Sequence, residues 1–169
     1  MRNYRELVEQ TFTFPNAEFK VENNGLLFNQ IDLNKLVKKY GTPLKVSYLP
    51  KIKSQIALSR KYFEKAISKH NYQEKYVYCY CTKASHFSFV LDEVLSAGVD
   101  IETSSAFDLE IIRSLHRQNK IDKNLTILCN GFKRPLYTQY ISELINDGFE
   151  KCIPIIDNLD ELSYYEQNI

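Results

Sequence analysis

From residue 76 to the end, the chain alternates short apolar runs with amphipathic segments, and this alternation limits its possible folds more than any other feature. The apolar runs begin at residues 76, 99, 125 and 151, and they read YVYCYCT, VDIET, LTILCN and KCIPIID. Each run is followed by a segment with helical periodicity. Nearly unbroken apolar strands that alternate with helices are typical of a parallel sheet covered by helices.

The amphipathic segments predict four helices, over 88–98, 106–119, 135–148 and from residue 158 onward. Pro135 suits a first helical turn and the glycines at 98 and 148 suit helix ends. Candidate N-caps are Ser104 or Ser105 for the second helix and Asn158 or Asp160 for the fourth. In the second helix, the spacing predicts that one apolar face is formed by Phe107, Ile111, Ile112 and Leu115.

The repeat length favours one arrangement of these units. The runs start about 23 to 27 residues apart, close to the roughly 30 residues per unit of a (β/α)8 barrel. Four units make half of such a barrel, which leaves two unpaired strand edges. The chain could instead be a complete four-stranded doubly wound domain, but we favour the front part of a longer barrel protein, and so expect the chain to be partial.

The first 70 residues differ in kind from the repeats. The stretch FKVENNGLLFNQ (19–30) predicts a hairpin around Asn23-Asn24-Gly25, and residues 32–43 predict a capped helix ended by Gly41. Residues 44–49 read as a strand and residues 50–70 as a long helix. We therefore expect two parts: 1–70, strands and helices that pack on the barrel, and 71–169, the first half of the barrel.

The composition excludes several classes of function. The chain is 44% hydrophobic and 25% charged, with a formal net charge of +1. No basic cluster points to nucleic acid, and no segment suits a signal peptide or a membrane span. We therefore expect a cytoplasmic globular protein with four reduced cysteines. They lie in apolar runs without metal-ligand spacing, which favours buried core positions for all four.

Polar residues stand where the predicted strands end. They are Lys83, Glu102, Asn130 and Asp157. The carboxyl ends of parallel strands meet at one face of the sheet, where catalytic groups collect. A lysine drawn partly out of water there would be a usable nucleophile toward an aldehyde such as pyridoxal phosphate. An ordinary solvated lysine is the alternative.

Two segments carry a resemblance to a known family. YGTPLKVSYLPKIKSQIALSRKYFEKAI, followed by YVYCYCTKAS, resembles the opening of the fold type III pyridoxal-phosphate decarboxylases. That superfamily includes alanine racemase and the ornithine, diaminopimelate and biosynthetic arginine decarboxylases. Tyr80-Cys81-Thr82-Lys83 is similar to the family's Y-x-x-K motif. The resemblance implies an alanine-racemase-like barrel in which Lys83 holds pyridoxal phosphate as a Schiff base.

Further blocks extend the resemblance to residues 40–169. ETSSAFDLEII is similar to the segment after the second strand, with its acid, serine and second acid at Glu102, Ser105 and Asp108. LCNGFKRPLY resembles the C-N-G-[YF]-K segment of the arginine enzymes, and IPIIDNLDEL resembles their fourth strand and helix. The arginine branch is therefore the one that these blocks favour.

The resemblance implies roles for the site residues. Glu102 is expected near the cofactor, with Ser105 and Asp108 supporting its loop, although both could be ordinary helix caps. His86 could touch the site or simply begin a helix. Asn130 could act in the site or serve as a turn residue before a glycine. Magnesium is possible by resemblance only, since no ligand set is evident.

The implied reaction is decarboxylation of arginine to agmatine, a step of polyamine and spermidine biosynthesis, in a homodimer or higher oligomer. Ornithine, lysine or diaminopimelate are alternative substrates, and a non-catalytic pyridoxal-phosphate-binding or interaction protein is the alternative from another class. A flavodoxin-like domain is disfavoured because TKASHF lacks a glycine-rich turn. The family's glycine-rich phosphate loop is absent too, so we expect the 169 residues alone to be inactive.

Overall fold

The structure is a computed structural model that describes residues 18–23 and 25–169. It divides the chain into two compact units between Ser47 and Tyr48. The sequence suggested a boundary near residue 70, which remains a proposal. The difference concerns the long helix at 50–69, whose buried Ile56 packs with Val90 and Val94 of the repeats.

The first unit contains a small antiparallel sheet and one helix. Its elements are β1 (Phe19–Glu22), β2 (Gly25–Phe28), β3 (Ile31–Asp32) and α1 (Leu33–Tyr40). The sheet order is β1-β2-β3, which confirms the predicted hairpin, although Asn24 of its turn lies outside the described residues. Asp32 caps α1 by accepting a hydrogen bond from the Lys35 backbone N–H at 3.2 Å.

The strand predicted over 44–49 is wrong. Residues 44–48 form no regular element and join neither of the two sheets. The alternation of LKVSYL fits a strand, but Lys45, Val46 and Ser47 are exposed and no neighbouring strand pairs with them. A β-prone sequence forms a strand only where it gains cross-strand contacts.

The second unit begins with a long helix and continues as four strand–helix repeats. Its helices are α2 (Pro50–Lys69), α3 (Ser88–Ser96), α4 (Ala106–Arg117), α5 (Pro135–Asn146) and α6 (Leu159–Asn168). Its strands are β4 (Cys79–Cys81), β5 (Asp100–Thr103), β6 (Ile127–Cys129) and β7 (Cys152–Pro154). Each strand is shorter than its apolar run, because the ends of the runs lead into turns.

The four strands form one parallel sheet in the order β4-β5-β6-β7. Every strand therefore lies beside its predecessor, and the order never reverses along these residues. A doubly wound sheet needs such a reversal. The topology confirms the predicted α/β fold of about four barrel units and contradicts the doubly wound alternative.

All four repeat helices pack on the same face of this sheet. That face presents Ile101, Ile127, Cys129 and Cys152, which are buried together with side chains of α3, α4, α5 and α6. The opposite face is uncovered in the described chain, and its residues are partly or well exposed: Cys79, Cys81, Glu102, Leu128 and Ile153. Coverage of one face only is what a segment of a barrel wall requires.

Two expectations about burial need correction. Only Cys129 and Cys152 are core cysteines. Cys79 and Cys81 lie on the uncovered face, because they alternate along β4 with Tyr80, whose side chain packs against the helix-covered core. Phe107, predicted to face the core, is 80% exposed, and Leu109 is buried in its place. Phe107 is only the second residue of α4. Asp108 and Leu109 of the same first turn are buried, so Phe107 lies on the other side of the helix and its ring projects into solvent.

The prediction that no segment spans a membrane can be compared with the helices of the structure. No helix in the described part of the chain is both long and apolar enough to cross a bilayer.

Candidate active site at the carboxyl ends of the parallel strands

Lys83 and Glu102 lie at the same edge of the sheet, on neighbouring strands. Cys81, the last residue of β4, is the register partner of Glu102 in β5. The backbone N–H of Thr82 donates to the Glu102 carbonyl at 3.0 Å, and the Thr82 hydroxyl donates to the same oxygen at 3.2 Å. Thr82 is fully buried. The residue before Lys83 is thus fixed to the residue that carries the carboxylate.

Lys83 itself is exposed. The chain turns away from β4 directly after the strand, with the Ala84 N–H donating to the Cys81 carbonyl at 3.1 Å. The Lys83 ammonium makes no hydrogen bond or ion pair with any residue of 18–23 and 25–169. The partial burial expected for Lys83 is therefore wrong for this chain, because nothing in the described residues covers the sheet edge at that point. Its assignment as a site residue stays a prediction.

Asn130 connects the ends of β5 and β6. Its backbone N–H donates to the Thr103 carbonyl at 2.9 Å, and its side-chain Nδ2 donates to Glu102 Oε1 at 2.9 Å. Its Oδ1 accepts from the Gly131 N–H at 2.8 Å. The amide is therefore held at both ends and fixes one oxygen of the half-buried Glu102 carboxylate. The turn-residue interpretation and the site interpretation of Asn130 are compatible.

Ser105 and Asp108 bind each other. Ser105 is the N-cap of α4, its hydroxyl accepting from the Asp108 N–H at 3.4 Å and donating to Asp108 Oδ2 at 3.0 Å. The buried Asp108 carboxylate also accepts from the Ser104 N–H at 2.9 Å. This reciprocal arrangement resembles a capping box. Both side chains order the loop after β5.

His86 lies in the connection between β4 and α3 and is exposed. Its ring is 6.0 Å from that of Phe87, measured between centroids. Phe87 stacks on Phe89 with centroids 5.5 Å apart. These contacts belong to the start of α3, and a role of His86 at the site stays a prediction.

The residue that the sequence interpretation missed is Lys133, whose side chain has 0% exposure. Its ammonium donates to the carbonyls of Gly131 (2.8 Å) and Ile155, and to Glu161 Oε2 at 3.3 Å. Asp157, expected at the sheet edge, contributes a carboxylate oxygen 3.8 Å from the same nitrogen. All three donors of the ammonium are thereby satisfied inside the protein.

Glu161, the buried partner of Lys133, is surrounded by donors. It accepts from the backbone N–H groups of Lys133 (3.2 Å) and Asp157 (3.1 Å) and from Asn158 Nδ2 (3.2 Å). Burial pushes the pKa of this carboxyl upward, but the two backbone donors and the Lys133 ammonium outweigh burial and lower the pKa. The pair ties the loop after β6 to the start of α6. The sequence carries no local signal for this pair, because the acid stands at the third position of α6, 28 residues after the lysine.

These groups define what the sheet edge can do. It offers one unpaired primary amine, one oriented carboxylate and a rigid amide, which suit an aldehyde with a polar ring. No cluster of three or more His, Cys, Asp or Glu side chains suited to a metal ion occurs in 18–23 and 25–169. A glycine-rich loop that would hold a phosphate is also absent from the sequence, which has five glycines in all.

Comparison with known proteins places the chain near one group of enzymes. No family model matches it. It is 25% identical over 152 residues to biosynthetic arginine decarboxylases of Citrifermentans bemidjiense and of Geobacter sp. strain M21, an alignment that covers 88% of this chain. A third such decarboxylase, of Geotalea uraniireducens, is 26% identical over 143 residues. The chain spans 22% of the length of these relatives.

Solved structures share the fold. Diaminopimelate decarboxylase from M. jannaschii, in complex with L-lysine, superposes with a TM-score of 0.70 at 17% identity, over 92% of this chain and 33% of that one. A protein of Aquifex aeolicus matches equally well, with a TM-score of 0.70 at 18% identity over 90% of this chain. The resemblance to arginine decarboxylases and the barrel fold of the type III decarboxylases are thereby confirmed.

Proposed function

We propose that this chain is the cofactor-lysine portion of a pyridoxal-phosphate-dependent amino-acid decarboxylase, with Lys83 as the residue that binds the cofactor covalently. The observation that carries the proposal is the juxtaposition at one sheet edge of Lys83 and Glu102, fixed by the Thr82 bonds to the Glu102 carbonyl. The similarity to arginine decarboxylases over 88% of the chain supports it.

The residues fit the aldehyde and ring of the cofactor. An exposed amine without an internal partner is free to condense with an aldehyde, and a carboxylate on the neighbouring strand can compensate a positive ring. The fit does not extend to the phosphate, because the sequence has no glycine-rich loop whose backbone N–H groups would bind a dianion.

The chain's own residues divide the work. Lys83 would hold the cofactor through its side-chain amine. Glu102 would help to hold the cofactor ring, and Asn130 holds the Glu102 carboxylate in place by donating from Nδ2 to Oε1 at 2.9 Å. Ser105 and Asp108 stiffen the loop that follows β5. When bound, the cofactor supplies an electron sink for the pair left behind as carbon dioxide departs.

Arginine is the proposed substrate, with agmatine and carbon dioxide as products in polyamine biosynthesis. The support is the CNGFK block and the similarity to biosynthetic arginine decarboxylases. Ornithine, lysine and diaminopimelate remain alternatives, as does a homologue that binds the cofactor without turnover. We also propose a cytoplasmic homodimer or higher oligomer for the whole protein, with magnesium only as a possible addition by family.

The test is carbon dioxide release by the protein that carries this chain, measured with arginine, ornithine, lysine and diaminopimelate. We expect the highest rate with arginine, and at least a 10²-fold loss (about the scale of one catalytic group) in Lys83→Ala. Lys151→Ala is the matched control, since Lys151 is also exposed but lies before β7, at the other end of the sheet.

Several results would count against the proposal. A Lys83→Ala variant as active as Lys151→Ala would remove Lys83 from the reaction. Activity with ornithine but not arginine would change the substrate and keep the reaction. Inactivity with all four amino acids would favour the non-catalytic homologue.

A further inference from the structure

We propose that the buried Lys133–Glu161 pair positions the Glu102 carboxylate, acting through Gly131 and Asn130. Lys133 is then a positioning residue of the site and touches neither substrate nor cofactor. The importance of this for catalysis rests on the proposed function, in which Glu102 faces the cofactor. The coupling itself rests only on contacts within the chain.

The contacts form an unbroken series from the buried pair to the sheet edge. Glu161 Oε2 accepts from the Lys133 ammonium at 3.3 Å, and the same ammonium donates to the Gly131 carbonyl at 2.8 Å. The Gly131 N–H donates to Asn130 Oδ1 at 2.8 Å, and Asn130 Nδ2 donates to Glu102 Oε1 at 2.9 Å. Each bond fixes the group that makes the next one.

Burial makes the first member of the series rigid. The Lys133 side chain has 0% exposure and Glu161 has 4%, so the pair is shielded from solvent and salt. The ammonium has no spare donor and must keep its place to satisfy its charge. Asn130 is exposed and has no such packing of its own. Its orientation therefore depends on Gly131.

The backbone at Gly131 makes this dependence specific. Gly131 has a φ of +78°, a conformation that glycine adopts without cost and that the chain would otherwise leave easily. Its carbonyl is bound by Lys133 and its N–H by Asn130. Releasing the carbonyl frees the turn to rotate, and the Asn130 amide then loses the orientation that points Nδ2 at Glu102.

The amide resonances of the Asn130 side chain test the coupling in the cofactor-free chain by NMR. Asn130→Asp identifies the resonances by their loss, and Glu102→Ala supplies their position when the acceptor is missing. Lys133→Met combined with Glu161→Gln removes the buried pair without leaving an uncompensated charge. We expect it to move the Asn130 resonances at least half of the way toward their position in Glu102→Ala.

Two further variants make the result decisive. Lys123→Met is the matched control, because Lys123 is exposed and its described partners are only the carbonyl of Asp147 and the ring of Phe149, so the Asn130 resonances should not move. Glu161→Gln alone removes only the negative charge that binds the Lys133 ammonium. If the double variant fails to fold, the movement of the Asn130 resonances in Glu161→Gln is the test.

Unmoved Asn130 resonances in a folded double variant, or in Glu161→Gln when the double variant does not fold, would overturn the inference. The outcome is independent of cofactor binding. If the Asn130 resonances do not move but the cofactor attaches at Lys83, only this inference is contradicted. If the resonances move as expected but the cofactor does not attach at Lys83, only the proposed function is contradicted.

Discussion

At the scale of single residues, two lysines at the same sheet edge have opposite surroundings. Lys83 is exposed and makes no contact with a charged group in the described chain, whereas Lys133 is buried among two carboxylates and two carbonyls. Chemistry with a dissolved aldehyde needs an accessible, unbound amine. The exposed lysine is therefore the reactive candidate, and the buried one is structural.

Stability measurements should separate the two lysines. We expect Lys133→Met to lower the free energy of unfolding by about 3 to 5 kcal/mol, because it leaves the Glu161 carboxylate buried without its counter-ion. Lys83→Met should change it by no more than about 0.5 kcal/mol. Urea denaturation followed by circular dichroism measures both. Equal effects of the two substitutions would contradict the burial difference.

The stability contributed by Glu161 should depend on pH with a defined sign. Its pKa in the folded chain is lowered, since two backbone donors and Lys133 outweigh the effect of burial. A lowered pKa means that the contribution is complete above the ordinary glutamate pKa of about 4.3 and is lost as pH falls through the folded value. The difference in unfolding free energy between wild type and Glu161→Gln should shrink below about pH 4.

The comparison needs a control at a carboxyl outside the pair. Glu166 is exposed on the same helix, so Glu166→Gln should leave the pH profile near that of the wild type. A wild-type advantage over Glu161→Gln that grows toward low pH would refute the assigned direction.

At the scale of elements, the alternation of runs and amphipathic segments was sufficient to predict eight of the elements in the described chain: the four parallel strands, and helices α3, α4, α5 and α6. Local signals also gave Ser104 or Ser105, and Asn158 or Asp160, as candidate N-caps, and the structure shows Ser105 and Asn158 in these positions. Strand propensity gave a wrong prediction for residues 44–49, because no neighbouring strand pairs with this segment. Partner availability is a property of the fold and cannot be read from a six-residue window.

Site residues show the same limit. Lys83, Glu102 and Asn130 could be placed at one sheet edge because parallel strands bring their ends together. Lys133 could not be recognised, because its burial depends on Glu161, 28 residues later, and on the carbonyl of Ile155. In sequence it stands before an arginine and a proline, and such a stretch usually indicates a solvated loop.

Helix α4 allows a direct test of the corrected burial. Leu109 is fully buried between the helix and the sheet, while Phe107 is 80% exposed. We expect Leu109→Ala to lower the free energy of unfolding by about 2 to 5 kcal/mol through the cavity it creates. Phe107→Ala should cost no more than about 0.5 kcal/mol. Thermal and urea unfolding measure the difference, and a larger loss at Phe107 would restore the face that periodicity predicted.

At the scale of the whole chain, one face of the parallel sheet is packed by helices and the other is uncovered. The uncovered face and the carboxyl edge carry Cys79, Cys81, Glu102 and Asn130. The chain spans 22% of the length of its decarboxylase relatives and 33% of the diaminopimelate decarboxylase with the same fold. A group that covered this face would desolvate Lys83 more than the described residues do.

The most direct test of the account is where the cofactor attaches. The chain is incubated with pyridoxal phosphate, reduced with borohydride and digested, and the adduct is mapped by peptide mass. We predict modification at Lys83 about tenfold above the mean of the other lysines, the ratio that a local preference of about 1.4 kcal/mol gives, and its loss in Lys83→Ala. Label spread evenly over the exposed lysines, or concentrated at another one, would contradict the assignment of Lys83.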